Sequence, residues 1–547
     1  MQRALTVVRI AVIIAAVVSG MPPARAEQSL VALARVGPWH GVSALIGYRG
    51  RLWFANSEKF VNHNSADIYS YAPGDAAPRY ERHLFSQDVG DPLVAGGLLF
   101  WPFEDARFST GQGELMVTNG RVWRWRVLPD AAVFHVHALI ANRGALYAAT
   151  AAWRAGIQRS DDLGRSWRAI YDHPTPHERV SRFTSLGVLD GTVYAGLTSY
   201  TQPGPKLYRF PDDQPQVVPG WPEGVRTDTL ARFGDWLYAV NSQAEKRTVW
   251  RTDGVRVERV HALDGVAVQA FASGARFMWA VSGGGQRGGL WRSADGEHWR
   301  RIQRFAEALP LAVTVFAGRP YVGTLGPGER GTLWGPADVD VPAAPVALVP
   351  LPKTPARPLT AARLRDGLAA LDKVLAGTAT SFGELRRDLA SAIDPLIAGR
   401  SPILGKALAA RLIRLPPGVT LAGFGGRLRV RSKQVKQWYL LRAIGLVGSG
   451  GRIPVAMLET PWIEASNEPE KYFSPFPAAL WAVGQLGQRD PATIAALVTR
   501  LGTRGEPAWV DGDRIGALTA ITGRRFGYDR TAWRRWWAAR SGTPDAR

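Results

Sequence analysis

The first third of the chain contains residue types that can transfer protons or bind metal ions. The candidates for catalysis are Asp88, Asp91, Glu104, Asp105, His135 and His137. A carboxylate or an imidazole can act as a general acid or base, and a set of both can bind a transition metal. His135 and His137 are two residues apart, so on a strand their side chains lie on the same face. With His63 they form the candidate metal-binding set, and Glu104 or Asp105 supplies the carboxylate.

Other side chains in the same segments suit recognition of an acidic ligand. The candidates for ligand binding are Asn62, His63, Asn64, Trp101, Arg107, Trp153, Arg154, His173, His177 and Arg182. An indole stacks on a sugar or peptide, and a guanidinium pairs with a carboxylate through parallel hydrogen bonds. Three interpretations of these residues stay open. They could bind a ligand without a reaction, or they could belong to a hydrolase or metal-assisted lyase that acts on an acidic polysaccharide. In the third, the loops simply hydrogen-bond to one another and thereby order the mouth.

A repeated sequence motif predicts how these residues are positioned. Seven times between residues 44 and 330, an apolar stretch leads through a glycine-bearing turn to an aromatic residue in a second apolar stretch. The aromatic residues are Trp53, Phe100, Tyr147, Tyr194, Tyr238, Trp279 and Tyr321. A period of about 40 to 50 residues built on a hairpin predicts a seven-bladed β-propeller. Loops between second and third strands share one face with the connections between blades, so the candidates should gather at one mouth.

Two turns within the repeats carry a specific pattern, S-x-D-x-G-x-x-W. Its members are Ser160, Asp162, Gly164 and Trp167, and, one residue shorter, Ser293, Asp295, Gly296 and Trp299. The Asp caps backbone amides, the Gly accepts a costly conformation and the Trp packs beneath the hairpin, so we assign these residues a structural role.

On these residues the chain resembles the Asp-box (bacterial neuraminidase repeat) β-propeller proteins, which include sialidases, sortilin-type receptors and photosystem-assembly propellers. The resemblance implies a fold rather than a reaction. Sialidases have six blades and an Arg-Ile-Pro near the first, whereas here that tripeptide is Arg452–Pro454, far outside the repeats. We therefore do not expect a true sialidase.

The first 26 residues have the features of a secretory signal. Arg3 and Arg9 supply positive charge, Ile10–Val18 form a short apolar core, and Ala24-Arg25-Ala26 fits a cleavage site. The chain contains no cysteine, so it uses no disulfide. We expect a periplasmic or secreted protein after cleavage near Ala26.

The sequence pattern changes after the repeats, from short alternating segments to helical periodicity. We predict the propeller over residues 27–341, a Pro-rich linker over 342–357 and an α-helical basic domain over 358–547. Pairs of short helices with Gly or Pro turns suggest a HEAT-like solenoid. The final segment, with Phe526-Gly527-Tyr528-Asp529 and Trp533, resembles the last repeat of bacterial HEAT-repeat proteins.

The net charge of +21 is concentrated in the second part of the chain. Residues 352–547 hold 30 Lys/Arg against 15 Asp/Glu, which gives +15, and no acidic residue occurs between Asp394 and Glu459. Such a block attracts polyanions. We expect residues 400–442 to contact a membrane surface or an acidic partner, unless they are simply a solvated face. The export signal argues against nucleic acid, and no cofactor is required apart from the candidate metal.

Overall fold

The structure is a computed structural model that describes residues 29–542 with several gaps. The gaps are 59–64, 109–111, 129–133, 152–153, 175–180, 200–201, 203, 244–245, 284–287, 307, 327–329, 338–347, 352–358, 398, 424–427 and 460–473. The predicted signal segment, residues 1–26, lies outside the described residues.

The N-terminal part is a β-propeller whose described strands pair antiparallel in groups of four. The first four groups are β2–β5 (Gly41–Tyr48, Arg51–Ser57, Ala66–Tyr71, Arg79–Leu84), β6–β9 (Leu93–Ala95, Leu98–Pro102, Glu114–Thr118, Trp123–Val127), β10–β13 (His135–Asn142, Ala145–Ala151, Ala155–Ser160, Arg168–Asp172) and β14–β17 (Ser181–Leu189, Thr192–Ser199, Leu207–Phe210, Gln216–Val217). The next three are β18–β21 (Arg226–Phe233, Trp236–Gln243, Lys246–Thr252, Val257–Arg259), β22–β25 (Val268–Ser273, Met278–Ser282, Gly289–Ser293, Arg300–Gln303) and β26–β28 (Leu309–Phe316, Arg319–Leu325, Gly331–Gly335) with β1 (Val31–Val36).

The repeated sequence motif corresponds to the hairpin between the first two strands of a group. Between β10 and β11, Arg143 (φ 48°) and Gly144 (φ 83°) both adopt the left-handed conformation. Two such residues make the turn whose twist matches antiparallel strands, and glycine adopts it without steric cost. The aromatic residue that follows, here Tyr147, is buried in the core of the sheets.

The last group of strands is completed by the start of the described chain. β1 pairs antiparallel with β28, from Val31 opposite Gly335 to Val36 opposite Gly331. A sheet edge left open would expose unpaired backbone groups. The pairing therefore joins the two ends of the propeller and covers that edge.

The described C-terminal residues are helical apart from one short hairpin. The described helices are α1 (Ala361–Ala376), α2 (Phe382–Ile397), α3 (Pro402–Ile413), α4 (Ser432–Val447), α5 (Ala456–Glu459), α6 (Pro475–Leu486), α7 (Pro491–Thr499), α8 (Ala508–Thr522) and α9 (Arg530–Ser541). The hairpin consists of β29 (Thr420–Gly423) and β30 (Leu428–Arg431). Within the described part of the chain, no helix has both the length and the apolar character to cross a membrane.

Helical periodicity predicts most of these helices to within a few residues. The periodicity predicts a helix over residues 514–521, whereas α8 spans Ala508–Thr522, and it does not predict the short helix α5. The first turns of α8 carry Asp511 and Asp513, both buried, which disguise the apolar pattern. Residues 348–351, inside the predicted linker, pack on the propeller, where the Val349 carbonyl accepts a hydrogen bond from Asn119 (2.9 Å).

A buried ionic network joins the propeller to the helices. The His83 imidazole on β5 lies between two carboxylates, with Nδ1 2.9 Å from Asp67 and Nε2 3.2 Å from Asp513 on α8. Asp513 also accepts two hydrogen bonds from Arg107 (2.9 and 2.8 Å), and the Arg107 guanidinium lies 4.4 Å from the Trp509 ring. Burial lowers the pKa of His83, but the two carboxylates outweigh it and raise the pKa above its usual value.

The helical side of this network is built for close contact. A Cβ at Gly512 would lie 2.8 Å from the His83 ring, and one at Gly516 would lie 2.9 Å from the His83 Cβ. The Tyr528 hydroxyl donates to Asp67 (2.8 Å), which also accepts from the Trp39 indole (2.8 Å). The segment that resembles a final HEAT repeat is therefore part of the contact with the propeller.

Replacement of Asp513 tests this network. Asp513→Ala would leave Arg107 buried without this carboxylate and His83 with only one of its two. Removing one partner of a buried ion pair lowers the free energy of unfolding by about 4 kcal/mol. The matched control is Asp372→Ala, which removes a surface pair with Arg411 (2.7 Å) and should cost less than about 1 kcal/mol. Urea unfolding followed by tryptophan fluorescence measures both. Equal losses in the two variants would contradict a dominant role for the buried network.

The buried Glu114 carboxyl should make the stability of the protein depend on pH. Burial raises the pKa of Glu114 to about 8, against the opposing influence of Arg442 and Trp125. Between its unfolded pKa and pH 8 the folded protein therefore binds the proton more tightly, and stability falls as pH rises. Glu114→Gln removes this dependence, so its stability relative to wild type should increase by about 4 kcal/mol from pH 5 to pH 8. Urea midpoints at the two pH values give the comparison, and a constant difference would rule the effect out.

Candidate functional site

Bulges at one end of the innermost strands shape the candidate site. The register of the first two strands shifts at the same place in six groups, and in β10 the extra residue is His137, between Val136 and Ala138. A bulge re-aims the side chain it carries and is common at barrel rims and next to active sites. The strand starts that carry these bulges lie at the face that the sequence predicts to be the mouth.

Three of the predicted residues come together at this mouth. One ligand atom from each of Glu104, His135 and His137 lies within 4.8 Å of the others, and all three side chains are partly buried. The two imidazole rings are parallel, with centroids 5.5 Å apart. His135 Nδ1 donates a hydrogen bond to the Glu104 carbonyl oxygen and lies 3.8 Å from Glu104 Oε1.

Arginine and burial set the electrostatics of this cluster. Arg182 lies 3.7 Å from Glu104 Oε1 and is partly exposed. Burial, helped by the Arg182 charge, lowers the pKa of His135 to about 4, so its imidazole is neutral at physiological pH. Burial raises the pKa of Asp105 to about 6, although Arg182 acts in the opposite direction. Asp105 is only 8% exposed, so the carboxylate shown beside the two imidazoles is that of Glu104.

The backbone around the cluster is held by three connecting segments. Glu104 N donates to the Asp88 carbonyl (3.2 Å), and Asp91 N donates to the His137 carbonyl (2.8 Å). A Cβ at Gly90 would lie only 2.1 Å from that same carbonyl, so only glycine fits there. The predicted candidates Asp88 and Asp91 thus position the site through their main chain. The Asp88 side chain is buried and accepts hydrogen bonds from Ser43 and Ser57 (3.0 and 2.5 Å).

Several predicted ligand-binding residues lie in the core instead of at the mouth. Trp101 is fully buried in β7, so its indole cannot stack on a ligand. Arg107 is only 2% exposed because it binds Asp513. His173 is buried beside Tyr208, 3.2 Å from its hydroxyl. These three expectations are corrected. The sequence shows their polarity but not the long-range partners that bury them.

Other predicted residues are placed differently. Arg154 is partly exposed at the mouth, 3.2 Å from Asp172. The candidates Asn62, His63, Asn64, Trp153 and His177 lie outside the described residues.

A second polar cluster at the same face was not predicted. Arg226 Nε forms an ion pair with Asp228, which also lies 3.4 Å from Arg247. Arg247 donates to Gln269 on the next group of strands (3.3 Å). Thr229 beside it has a positive φ of 61°, unusual for a β-branched residue. The bulge that creates this geometry leaves no signal in the sequence.

The two S-x-D turns lie at the opposite end of the strands. Asp162 Oδ1 accepts hydrogen bonds from the backbone N–H groups of Arg165 (3.0 Å) and Ser166 (2.8 Å). Asp295 Oδ1 does the same for Glu297 and His298 (2.9 and 2.8 Å). In both turns the first Ser hydroxyl accepts from the Gly N–H, at Gly164 (2.9 Å) and Gly296 (2.7 Å). Their contacts are structural.

The basic block divides into internal and exposed residues. Lys436 donates to the carbonyls of Leu375 and Gly377 (2.8 and 3.0 Å), and Arg442 donates to the Phe108 carbonyl (2.6 Å). Exposed residues on and near α3 and the hairpin form what we call the basic face. Its members are Arg400, Lys406, Arg414, Arg429, Arg431 and Lys433, with Ile403 (66% exposed), Ile413 (70%) and Val419 (46%).

Comparison with known proteins gives likenesses of the fold. No protein-family model and no curated protein matches the chain. Among solved structures, YCF48 from Cyanidioschyzon merolae is 13% identical with a TM-score of 0.39, covering 57% of this chain and 98% of that one. The β-propeller domain of the Trilobed protease from Pyrococcus furiosus is 10% identical with a TM-score of 0.38, covering 55% and 99%. The Neurospora crassa Pan2 WD40 domain is 10% identical with a TM-score of 0.40, covering 58% and 99%. Likenesses this weak say nothing about ligand or activity.

Proposed function

We propose that this is an exported recognition and scaffold protein of the Asp-box propeller type, with a HEAT-like helical domain. Its propeller mouth binds an acidic ligand, a glycan or a protein, and its basic face docks on the anionic surface of the envelope. The observation that carries the proposal is Arg182, which is partly exposed and lies 3.7 Å from Glu104 in the cluster that holds the two imidazoles. Arg154 and Arg226 lie at the same end of the strands.

These arginines have hydrogen-bonding capacity to spare. A guanidinium carries five N–H donors. Among the described residues, Arg154 contacts one carboxylate, Asp172 (3.2 Å), and Arg182 lies 3.7 Å from Glu104. The remaining donors suit a carboxylate of a ligand, which pairs with arginine in a planar, bidentate manner. An acidic glycan also offers hydroxyl groups for the imidazoles.

A carbohydrate-active enzyme is the second candidate. It is supported by Glu104, His135 and His137, which come together at the mouth with Arg182 beside Glu104. Asp105, in the same segment, is buried and feels the Arg182 charge. One such carboxylate could act as a general base while Arg182 holds the substrate. A hydrolase or a lyase of acidic polysaccharide fits this arrangement, and a true sialidase does not.

Binding of an acidic oligosaccharide tests the mouth. Oligogalacturonate of defined length should bind the mature protein, and a neutral malto-oligosaccharide of equal length should not. Arg154→Ala with Arg182→Ala should weaken binding by at least about tenfold in calorimetry, since each lost charge-assisted pair costs about 1.5 kcal/mol or more.

The control for this experiment is Arg165→Ala, on an S-x-D turn at the opposite end of the strands. Unchanged binding in the double variant, or equal loss in the control, would overturn the assignment of the mouth. An acidic peptide such as polyglutamate, run in parallel, distinguishes a protein ligand from a glycan. Release of reducing ends or unsaturated products would favour the enzyme.

Vesicle binding tests the basic face. The mature protein should sediment with vesicles containing phosphatidylglycerol but not with pure phosphatidylcholine, and high salt should release it, because surface charges are screened. Ile403→Ser with Ile413→Ser should reduce the bound fraction severalfold, whereas Val255→Ser on the propeller, where the side chain is even more exposed (88%), should not. Equal binding by all three proteins would exclude membrane docking through this face.

A further inference from the structure

We propose that Glu104, His135 and His137 bind a divalent transition-metal ion of the zinc type at the propeller mouth. The inference concerns the metal alone and stands whether or not the mouth binds an acidic ligand. The sequence-based set left the carboxylate open between Glu104 and Asp105 and included His63, which lies outside the described residues. The structure brings Glu104 together with His135 and His137, and the bulge at His137 aims its side chain.

The first support is the spacing of the ligand atoms. They lie within 4.8 Å of one another. Zinc bonds of about 2.0–2.2 Å hold tetrahedral ligand atoms about 3.4 Å apart, so side-chain rotations must bring these atoms closer. Glu104 Oε1 lies 3.8 Å from His135 Nδ1, so its carboxylate must also turn toward Nε2 to share an ion with that nitrogen. All three side chains are partly buried, which limits competition from bulk water without sealing the site from an entering ion.

The second support is the orientation of His135. The Glu104 carbonyl oxygen can only accept a hydrogen bond, so His135 Nδ1 is the protonated nitrogen and Nε2 carries the lone pair. A metal-bound imidazole ordinarily donates its other N–H to a carbonyl or carboxylate, which fixes the tautomer and the ring. The loop that supplies Glu104 as a ligand thus also orients His135.

The third support is the rigidity of the backbone beneath the site. The His137 carbonyl accepts from Asp91 N (2.8 Å), and Gly90 packs against it where no larger residue fits. Val136 N donates to the Phe103 carbonyl (2.9 Å), which ties the histidine strand to the segment that carries Glu104. Ligands on a backbone held in this way are preorganised, which lowers the entropy lost on binding.

The donor set indicates which ions fit. Two imidazoles and one carboxylate suit zinc, cobalt or nickel, whereas calcium and magnesium prefer oxygen ligands only. Three protein ligands leave a coordination position open to water or to an anion. The neighbouring Arg182 would pair with an anion bound there. It also competes with the ion for Glu104, so we expect Arg182→Gln to bind metal more tightly than the wild type does.

Metal binding by the full mature chain tests the proposal directly. After dialysis against EDTA, calorimetry with zinc chloride should show one site, and cobalt should give the visible absorption of a tetrahedral complex. Calcium should give no heat at the same concentration. His135→Ala with His137→Ala should abolish the site, and Glu104→Gln, which keeps the side-chain shape, should weaken it at least tenfold.

The matched control is His298→Ala, because His298 is 87% exposed on the opposite side of the strands. The metal-free melting temperature of each variant establishes that it folds. If a histidine variant fails to fold, Glu104→Gln and the cobalt spectrum decide the question. The proposal falls if the wild type shows no single site, or if zinc affinity is unchanged in Glu104→Gln. Oligogalacturonate titration in EDTA tests the proposed function separately, so failure of one does not imply failure of the other.

Discussion

The buried His83 imidazole is the constraint on which the arrangement of the two halves depends. A buried charge is costly unless it is paired and hydrogen-bonded, and here both ring nitrogens face carboxylates, Asp67 from the propeller and Asp513 from α8. Arg107 supplies a permanent positive charge beside Asp513, and the two carboxylates hold the His83 ring from both sides. The set is complete only when the helices lie against the propeller. Separation of the halves would break every pair that Asp513 makes.

This contact also reaches the mouth. Arg107 belongs to the same connecting segment as Glu104 and Asp105, and the bridge between Ser86 and Ala106 lies between them. One end of the segment is therefore fixed by the helices, and the other supplies the mouth with carboxylates. Fixing one end narrows the conformations available to the other, because few residues separate them. Through this segment the helical half helps to position Glu104.

The sequence predicts local elements well and long-range partners poorly. Hairpins and helices follow from period and turn residues. The pattern predicts a strand over residues 145–150 and a helix over 382–397, and the structure has β11 at Ala145–Ala151 and α2 at Phe382–Ile397. Trp101, Arg107 and His173 have the polarity of mouth residues, but their burial depends on partners far away in the chain, such as Asp513 for Arg107. The same is true of His83, which local pattern does not distinguish from other histidines. The bulge at His137 depends on how strands pair across a sheet, and pairing is not written in any short window.

A count of charged residues in the sequence overestimates how many are available at the surface, as the basic block of residues 400–442 shows. Arg411, Lys436 and Arg442 lie in the block but bind Asp372, backbone carbonyls and the Phe108 loop, so they contribute to folding rather than to recognition. What remains outside is a smaller set that lies next to exposed Ile403 and Ile413. Aliphatic side chains on a rigid helix gain free energy only when another surface covers them, at about 25 cal/mol for each Å² buried. Positive charge beside such residues favours a surface that is both anionic and apolar, which is the character of a lipid bilayer at its interface.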